Sequence, residues 1–140
     1  MNEKNSLDDV AVKMSLRLRT VADMLRGDGA HQCTADVGCD HGYVSIYLVQ
    51  NKISESAIAM DVRKGPLAMA ESNIREYSLE KDIQTRLSDG LTELYEDEAD
   101  SLVIAGMGGK LMISILEKKD LAGLGIKTAV LQPQSDICLF

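Results

Sequence analysis

The residues whose types and spacing could do chemistry in this 140-residue chain come in short clusters, each just past an apolar run. The first reads Asp36-Val37-Gly38-Cys39-Asp40-His41-Gly42. Glycine in such a turn tolerates unusual backbone angles and lets a ligand approach the main chain. A dinucleotide-binding turn starting at Gly38 would repeat glycine at positions 40 and 43 and aim a helix N-terminus at a pyrophosphate. Those positions hold Asp40 and Tyr43. An aspartate facing a pyrophosphate would repel it, so a dinucleotide is not expected. A ligand with a cationic or neutral head suits the turn better. S-adenosylmethionine has that character: an ammonium, a sulfonium and no phosphate.

Asp61 ends a second apolar run, 23 residues after Gly38. An acid about 20 residues past a glycine loop is placed to accept hydrogen bonds from ribose hydroxyls. The other reading is a helix-flanking acid before Lys64-Gly65-Pro66; the order of the two signals favours the ribose. Asp89, in Ser88-Asp89-Gly90, could accept from an adenine amino group while Gly90 lets the ring approach. The same three residues are also ordinary turn composition. Gly106-Met107-Gly108-Gly109 closes the series and offers backbone amides and carbonyls to a substrate edge. Other chemistries fit less well. Cys33, Cys39, Asp40 and His41 lack a paired Cys-x-x-Cys or a second histidine cluster, so no metal is expected. Ser45 with His41 lacks the Gly-x-Ser-x-Gly elbow of a hydrolase. Gly106 to Lys110 lacks the spacing of a P-loop.

These clusters need a scaffold that brings them to one place. Residues 8–26 read as a helix, with Met14, Leu18, Val21, Ala22 and Leu25 at steps of three and four and Gly27-Asp28-Gly29 as the stop. Apolar runs predict strands at 33–37, 57–60, 83–87, 101–105 and 128–131. Helices are expected at 43–50, 65–77 and 110–118, with Pro66 tolerated in a first turn. Strands alternate with helices, and several strands lack a polar face. That pattern predicts a parallel sheet covered on both sides. The expected fold is therefore α/β: a Rossmann-like, doubly wound, mostly parallel sheet of about five strands, preceded by an N-terminal helix. Ligands of such sheets bind beyond the carboxyl ends of the strands. Of eleven glycines, six (Gly38, Gly42, Gly90, Gly106, Gly108 and Gly109) lie just after an expected strand, on that edge.

Composition sets the outer bounds. Fifteen basic against 22 acidic side chains leave a net charge of −7, which argues against a protein that coats DNA. A nucleic-acid substrate held by a local basic patch stays open. The first helix offers Lys13, Arg17, Arg19 and Arg26 against Asp23, whereas Glu93, Glu96, Asp97, Glu98 and Asp100 form an acidic run expected to face away from RNA. No stretch approaches the ~20 apolar residues of a membrane span. The polar start, Met1-Asn2-Glu3-Lys4-Asn5, suggests no secretory signal. Three cysteines, Cys33, Cys39 and Cys138, make no disulfide framework, and a reducing cytoplasm fits best.

Taken together, Asp36-x-Gly38-x-Asp40-x-Gly42, Asp61, Ser88-Asp89-Gly90 and Ala105-Gly106-Met107-Gly108-Gly109 resemble a class I S-adenosylmethionine-dependent methyltransferase. More closely, the chain is similar to the bacterial tRNA (adenine(22)-N(1))-methyltransferase family over about residues 13–136. The matching stretches are Ser15-Leu16-Arg17-Leu18, Asp36 to Tyr43, Ile104 to Gly109 and Leu131-Gln132-Pro133-Gln134. The resemblance implies a cofactor site at Asp36, Gly38, Asp40, His41, Asp61, Asp89, Gly90 and Gly106, with the methionine end at Gly38, Asp40 and His41. It implies a methyl-transfer face at Gly106, Met107 and Gly108. It implies tRNA as substrate; of the basic cluster on the first helix, Arg17, which falls in a matching stretch, and Arg19 are the expected phosphate contacts. The family carries two further strands and a C-terminal helical domain. Here Ile137-Cys138-Leu139-Phe140 looks like the start of a further helix, so residues 1–30 are expected as a helical segment and 31–140 as an incomplete cofactor-binding domain. Two other readings of the scaffold remain: a methyltransferase for a small molecule or protein, and a fragment that binds the cofactor without catalysis.

Overall fold

The computed structural model describes residues 9–134. The apolar end at residues 137–140, read as the start of a further helix, lies outside the described residues, as does Cys138. The elements in chain order are α1 (Leu16–Asp23), β1 (His31–Val37), α2 (Tyr43–Gln50), β2 (Ser54–Asp61), α3 (Lys64–Glu76), β3 (Ile83–Leu87), β4 (Ser101–Met107), α4 (Gly109–Glu117), the single turn α5 (Leu121–Leu124) and β5 (Thr128–Pro133). One sheet runs in the order β3-β2-β1-β4-β5, with every neighbouring pair parallel. This is the expected Rossmann-like, doubly wound arrangement.

The missing polar face of the strands has a direct cause. Successive residues of β2 and β4 enter opposite cores. Ala59 and Val103 pack with Val21, Ile46 and Ile74 on the face of α1, α2 and α3. Met60, Leu102 and Ile104 pack with Leu91, Leu94, Met112 and Ile115 on the face of α4. Burying each large apolar side chain contributes roughly 1.5–3 kcal/mol, so both faces must be apolar to hold the sheet between two layers. At the amino edge three hydroxyls stitch the central strands. Thr34 Oγ1 donates to Ser54 Oγ at 2.9 Å and lies 2.7 Å from Ser101 Oγ.

The N-terminal helix differs from its expected 8–26 span. Val10–Lys13 form a 3₁₀ turn capped by Asp9, Met14 is extended, and α1 begins only at Leu16. The break comes from Ser15, whose Oγ accepts from the Leu18 amide at 3.2 Å and so starts a new helix. Met14 stays buried across the break, which is why the apolar spacing ran on unbroken. A second 3₁₀ turn, Met24–Asp28, carries the chain to Gly29. The strands also run longer than expected. β1 begins at His31 and β2 at Ser54, and β4 continues through Gly106 to Met107 with an irregularity in its pairing to β5. Gly106 and Met107 therefore belong to a strand end and not to a free loop. Pro133 is accommodated because β5 is at the edge of the described sheet.

If Ser15 is the true helix start, Ser15→Ala should lower stability by about 1 kcal/mol in urea unfolding, and Ser15→Asp should keep most of it. An unchanged midpoint for Ser15→Ala would show that α1 does not depend on this cap.

Candidate active site

The sheet order reverses between β1 and β4, and there the two layers of helices part. The opening is a cleft of two lobes, with volumes of about 340 and 370 Å³. Gly38, Arg63, Ala105 and Gly106 line both lobes and form the wall between them. The first lobe also meets Arg17, Asp36, Asp40, His41, Tyr43 and Gln134. The second meets Asp61, Val62, Ser88, Asp89, Gly90, Met107 and Leu111.

The turn after β1 is tightly specified. Gly38 and Cys39 both donate their amides to the Met60 carbonyl at 2.8 Å, which folds the chain over the end of β2. Gly38 has φ of 74°, and a Cβ there would come within 3.0 Å of Met107 Cε. Asp40 also takes a left-handed conformation, with φ of 52°. Strain of this kind in a residue other than glycine persists only when its surroundings hold it. Two contacts do so: the Asp40 amide donates to Asp61 Oδ2 at 3.1 Å, and Asn73 Nδ2 donates to the His41 carbonyl at 2.9 Å. The His41 ring stacks on Tyr43 and its Nδ1 lies 3.1 Å from Asp40 Oδ2.

The carboxylates of the cleft sit in opposed environments. Asp36 is buried, and desolvation pushes its pKa up to about 6; Asp61 and Asp40 add to the rise, against the hydroxyl of Ser45, which donates at 2.8 Å. Burial also pushes Asp61 up, but the bonds from Arg63 and the Asp40 amide outweigh it, and its pKa ends below the usual carboxylate range. Arg63 is the cleft residue that the sequence reading passed over. Its amide and Nε donate to Asp61 Oδ1 at 2.9 and 3.1 Å, and its Nη2 to Oδ2 at 3.3 Å. An aspartate bonding the amide two residues on is a familiar Asx turn, so Asp61-Val62-Arg63 did carry a local signal. Desolvation, with the nearby carboxylates adding to it, raises the pKa of the Cys39 thiol, which leaves it an inert packing group.

Most of the expected site residues converge on this cleft. Asp36, Gly38, Asp40 and His41 lie in one lobe, Asp61, Asp89 and Gly90 in the other, and Gly106 between them. Asp89 is exposed, and its carboxylate has no hydrogen bond among the described residues, while Ser88 Oγ shapes the turn by donating to the Gly90 carbonyl. Met107 points its side chain to Gly38. Its carbonyl accepts from Gln134, and that of Gly108 accepts from Met112, so these acceptors already have partners within the protein. The two arginines separate. Arg17 lines the first lobe, whereas Arg19 is half-buried away from it, and its Nε has no hydrogen-bond partner among the described residues. The acidic run leads from Glu93, whose amide donates to Ser88 Oγ at 3.1 Å, to Asp97, Glu98 and Asp100 at the opposite edge of the sheet. There Glu98 takes both terminal nitrogens of Arg86 at 2.6 and 2.9 Å, and Asp100 accepts the amide of Gln32 at 3.0 Å. Among the described residues no cluster of His, Cys, Asp and Glu could hold a metal ion, and no helix is long and apolar enough to cross a membrane.

Comparison with protein families matches the one described as "Methyltransferase domain" over residues 14–139. The chain belongs to that family. Among named relatives, the tRNA (adenine(22)-N(1))-methyltransferase of Bacillus subtilis is 37% identical over 122 residues, which is 87% of this chain and 50% of that protein. The crystal structure of the B. subtilis M1A22 tRNA methyltransferase TrmK superposes with a TM-score of 0.77 at 34% identity, covering 87% of this chain and 51% of that one. TrmK of M. capricolum, in complex with the cofactor product S-adenosyl-homocysteine, superposes with a TM-score of 0.70 at 34% identity, over 76% of this chain and 47% of that one. The chain thus spans about half the length of these relatives.

The methyltransferase cleft makes one electrostatic prediction. Folded, Asp36 holds its proton up to about pH 6; unfolded, it loses it near 3.8. The folded state binds more protons between those values, so this group's contribution to stability falls as pH rises through that window. Asp36→Asn removes the contribution and keeps an acceptor for Ser45. Its stability relative to wild type, from urea unfolding, should rise by about 3 kcal/mol between pH 3.5 and 7. A flat difference would show that Asp36 is not held neutral.

Proposed function

We propose that this chain is the cofactor-binding, methyl-transferring domain of a cytoplasmic tRNA methyltransferase that acts on N1 of an adenine. The observation that carries the reading is the pair of lobes meeting at Gly38 and Gly106, one lined by Asp36 and Asp40 and the other by Asp61 and Asp89. That donor set fits S-adenosylmethionine. Asp61 is the acceptor for ribose hydroxyls, exposed Asp89 for the adenine amino group, and Val62 and Leu111 are apolar surfaces for the ring. The acids of the first lobe suit an ammonium. Gly38 and Gly90 must stay bare, because a Cβ there would reach 3.0 Å from Met107 or Ile115. The relatives named above supply the substrate, tRNA adenine, and the methyl donor.

The bound cofactor supplies an electrophilic methyl group on a sulfonium. Adenine N1 has a free lone pair at neutral pH, so the chain needs no strong general base, and positioning carries the rate. The adenine must leave its stack to reach the first lobe. His41 and Tyr43, stacked at the mouth, offer it a flat surface, and Arg17 on the rim is placed for an adjacent phosphate. The positive charge passes from the sulfonium to the methylated adenine as the thioether leaves neutral, so the step moves a charge without separating opposite ones.

Calorimetry with S-adenosylhomocysteine tests the cofactor half of the proposal. Asp61→Ala should weaken binding by about tenfold or more. Equal affinity would remove the ribose from Asp61. Labelled methyl transfer to unmodified tRNA, followed by digestion, should yield 1-methyladenosine. Transfer to protein or metabolites instead would reassign the substrate.

A further inference from the structure

The carboxylate that should receive the ribose is already full. A carboxylate offers about four acceptor positions. Asp61 uses four: the Arg63 amide and Nε on Oδ1, and the Asp40 amide and Arg63 Nη2 on Oδ2. Asp61 is only 2% exposed, so it cannot turn outward to find new donors. Two of the four donors are main-chain amides, fixed by the turn after β1 and by the start of α3. The other two belong to the Arg63 guanidinium, which is 60% exposed and lies on the wall shared by both lobes. These two of the four can leave without moving the backbone.

Resting on the assignment of the ribose to Asp61, we infer that the Arg63 guanidinium is a displaceable stand-in for the ribose, which the cofactor must evict from Asp61 on binding. In the free chain the guanidinium satisfies the buried carboxylate, as a buried charge requires. When the adenosine end enters, two ribose hydroxyls replace Nε and Nη2 on the two oxygens. No charge is stranded, since Asp61 keeps both amides and Arg63 swings toward solvent, where Asp40 lies 3.8 Å from its Nη2. Arg63 thus sets cofactor affinity as a competitor and not as a contact.

The experiment compares S-adenosylhomocysteine binding by calorimetry in wild type, Arg63→Ala and Asp61→Asn. Eviction predicts that Arg63→Ala binds about threefold to fivefold tighter, the size of an ion pair whose cation is largely exposed and which no longer has to be broken. Unchanged or weaker binding overturns the inference. A readout without substitution guards against misfolding: in wild type the Arg63 Nε–H resonance should be protected from water exchange, and saturating S-adenosylhomocysteine should remove that protection. A resonance that stays protected in the complex overturns it equally. Asp61→Asn separates the two readings. If it binds as wild type does, the ribose assignment itself fails; if it binds weakly while Arg63→Ala is not tighter, only the eviction fails.

Discussion

A carboxylate with almost no solvent contact has to be fully hydrogen-bonded, and at Asp61 meeting that demand organises the whole carboxyl edge of the sheet. Its partners come from two different crossings. The Asp40 amide belongs to the turn between β1 and α2, and Arg63 opens α3. Supplying that amide requires Asp40 to sit at φ of 52°, which in turn needs Gly38 and Gly42 on either side, both with positive φ. Gly42 brings α2 against α3 so closely that a Cβ would lie 3.0 Å from Ala70 Cβ. One buried charge therefore ties two helices, a strained turn and the end of β2 into a rigid floor.

That floor separates the acids by role. Asp36 and Asp61 close neighbouring strands, yet desolvation raises the pKa of one, and close cationic and amide donors lower that of the other. Below about pH 6 Asp36 is neutral beside an ionised Asp61, and the repulsion between them is relieved only there. Pairs of titratable groups pushed apart by their surroundings are a common mark of a working site. Across the molecule the charge is also divided. Glu98 and Asp100 of the acidic run are spent on Arg86 and on the start of β1, while Arg17 stands at the cleft. A net charge of −7 is thus compatible with a locally usable approach for a polyanion.

Much of the site was legible because its signals are local. Gly38 and Gly106 sit at strand ends with φ of 74° and 81°, where a side chain would be strained whatever its surroundings. Asp61 stands at the end of an apolar run, and in a parallel sheet every such end falls on one edge. The errors have the opposite character. The N-terminal run read as one helix because Met14 keeps the apolar spacing, but the capping bond of Ser15 starts α1 afresh. Arg17 and Arg19 looked alike in sequence. They are two residues apart on α1, about 200° around a helix, so only one can face the cleft. Which one depends on how α1 rotates as Val21 and Ala22 bury against the sheet.

The sequence by itself determined the class of fold and the edge that carries the chemistry. Two-sided apolar strands and glycines at their ends are consequences of covalent geometry and of burial, and each can be read from a few neighbouring residues. Tertiary structure alone decided that the Asp40 amide completes the partners of Asp61, which arginine reaches the cleft, and that the cleft has two lobes sharing one wall. Those facts depend on groups far apart in the chain, such as Asp40 with Asp61 and Gly106 with Gly38. Their distances exist only once β1 and β4 pair and the helices part on either side.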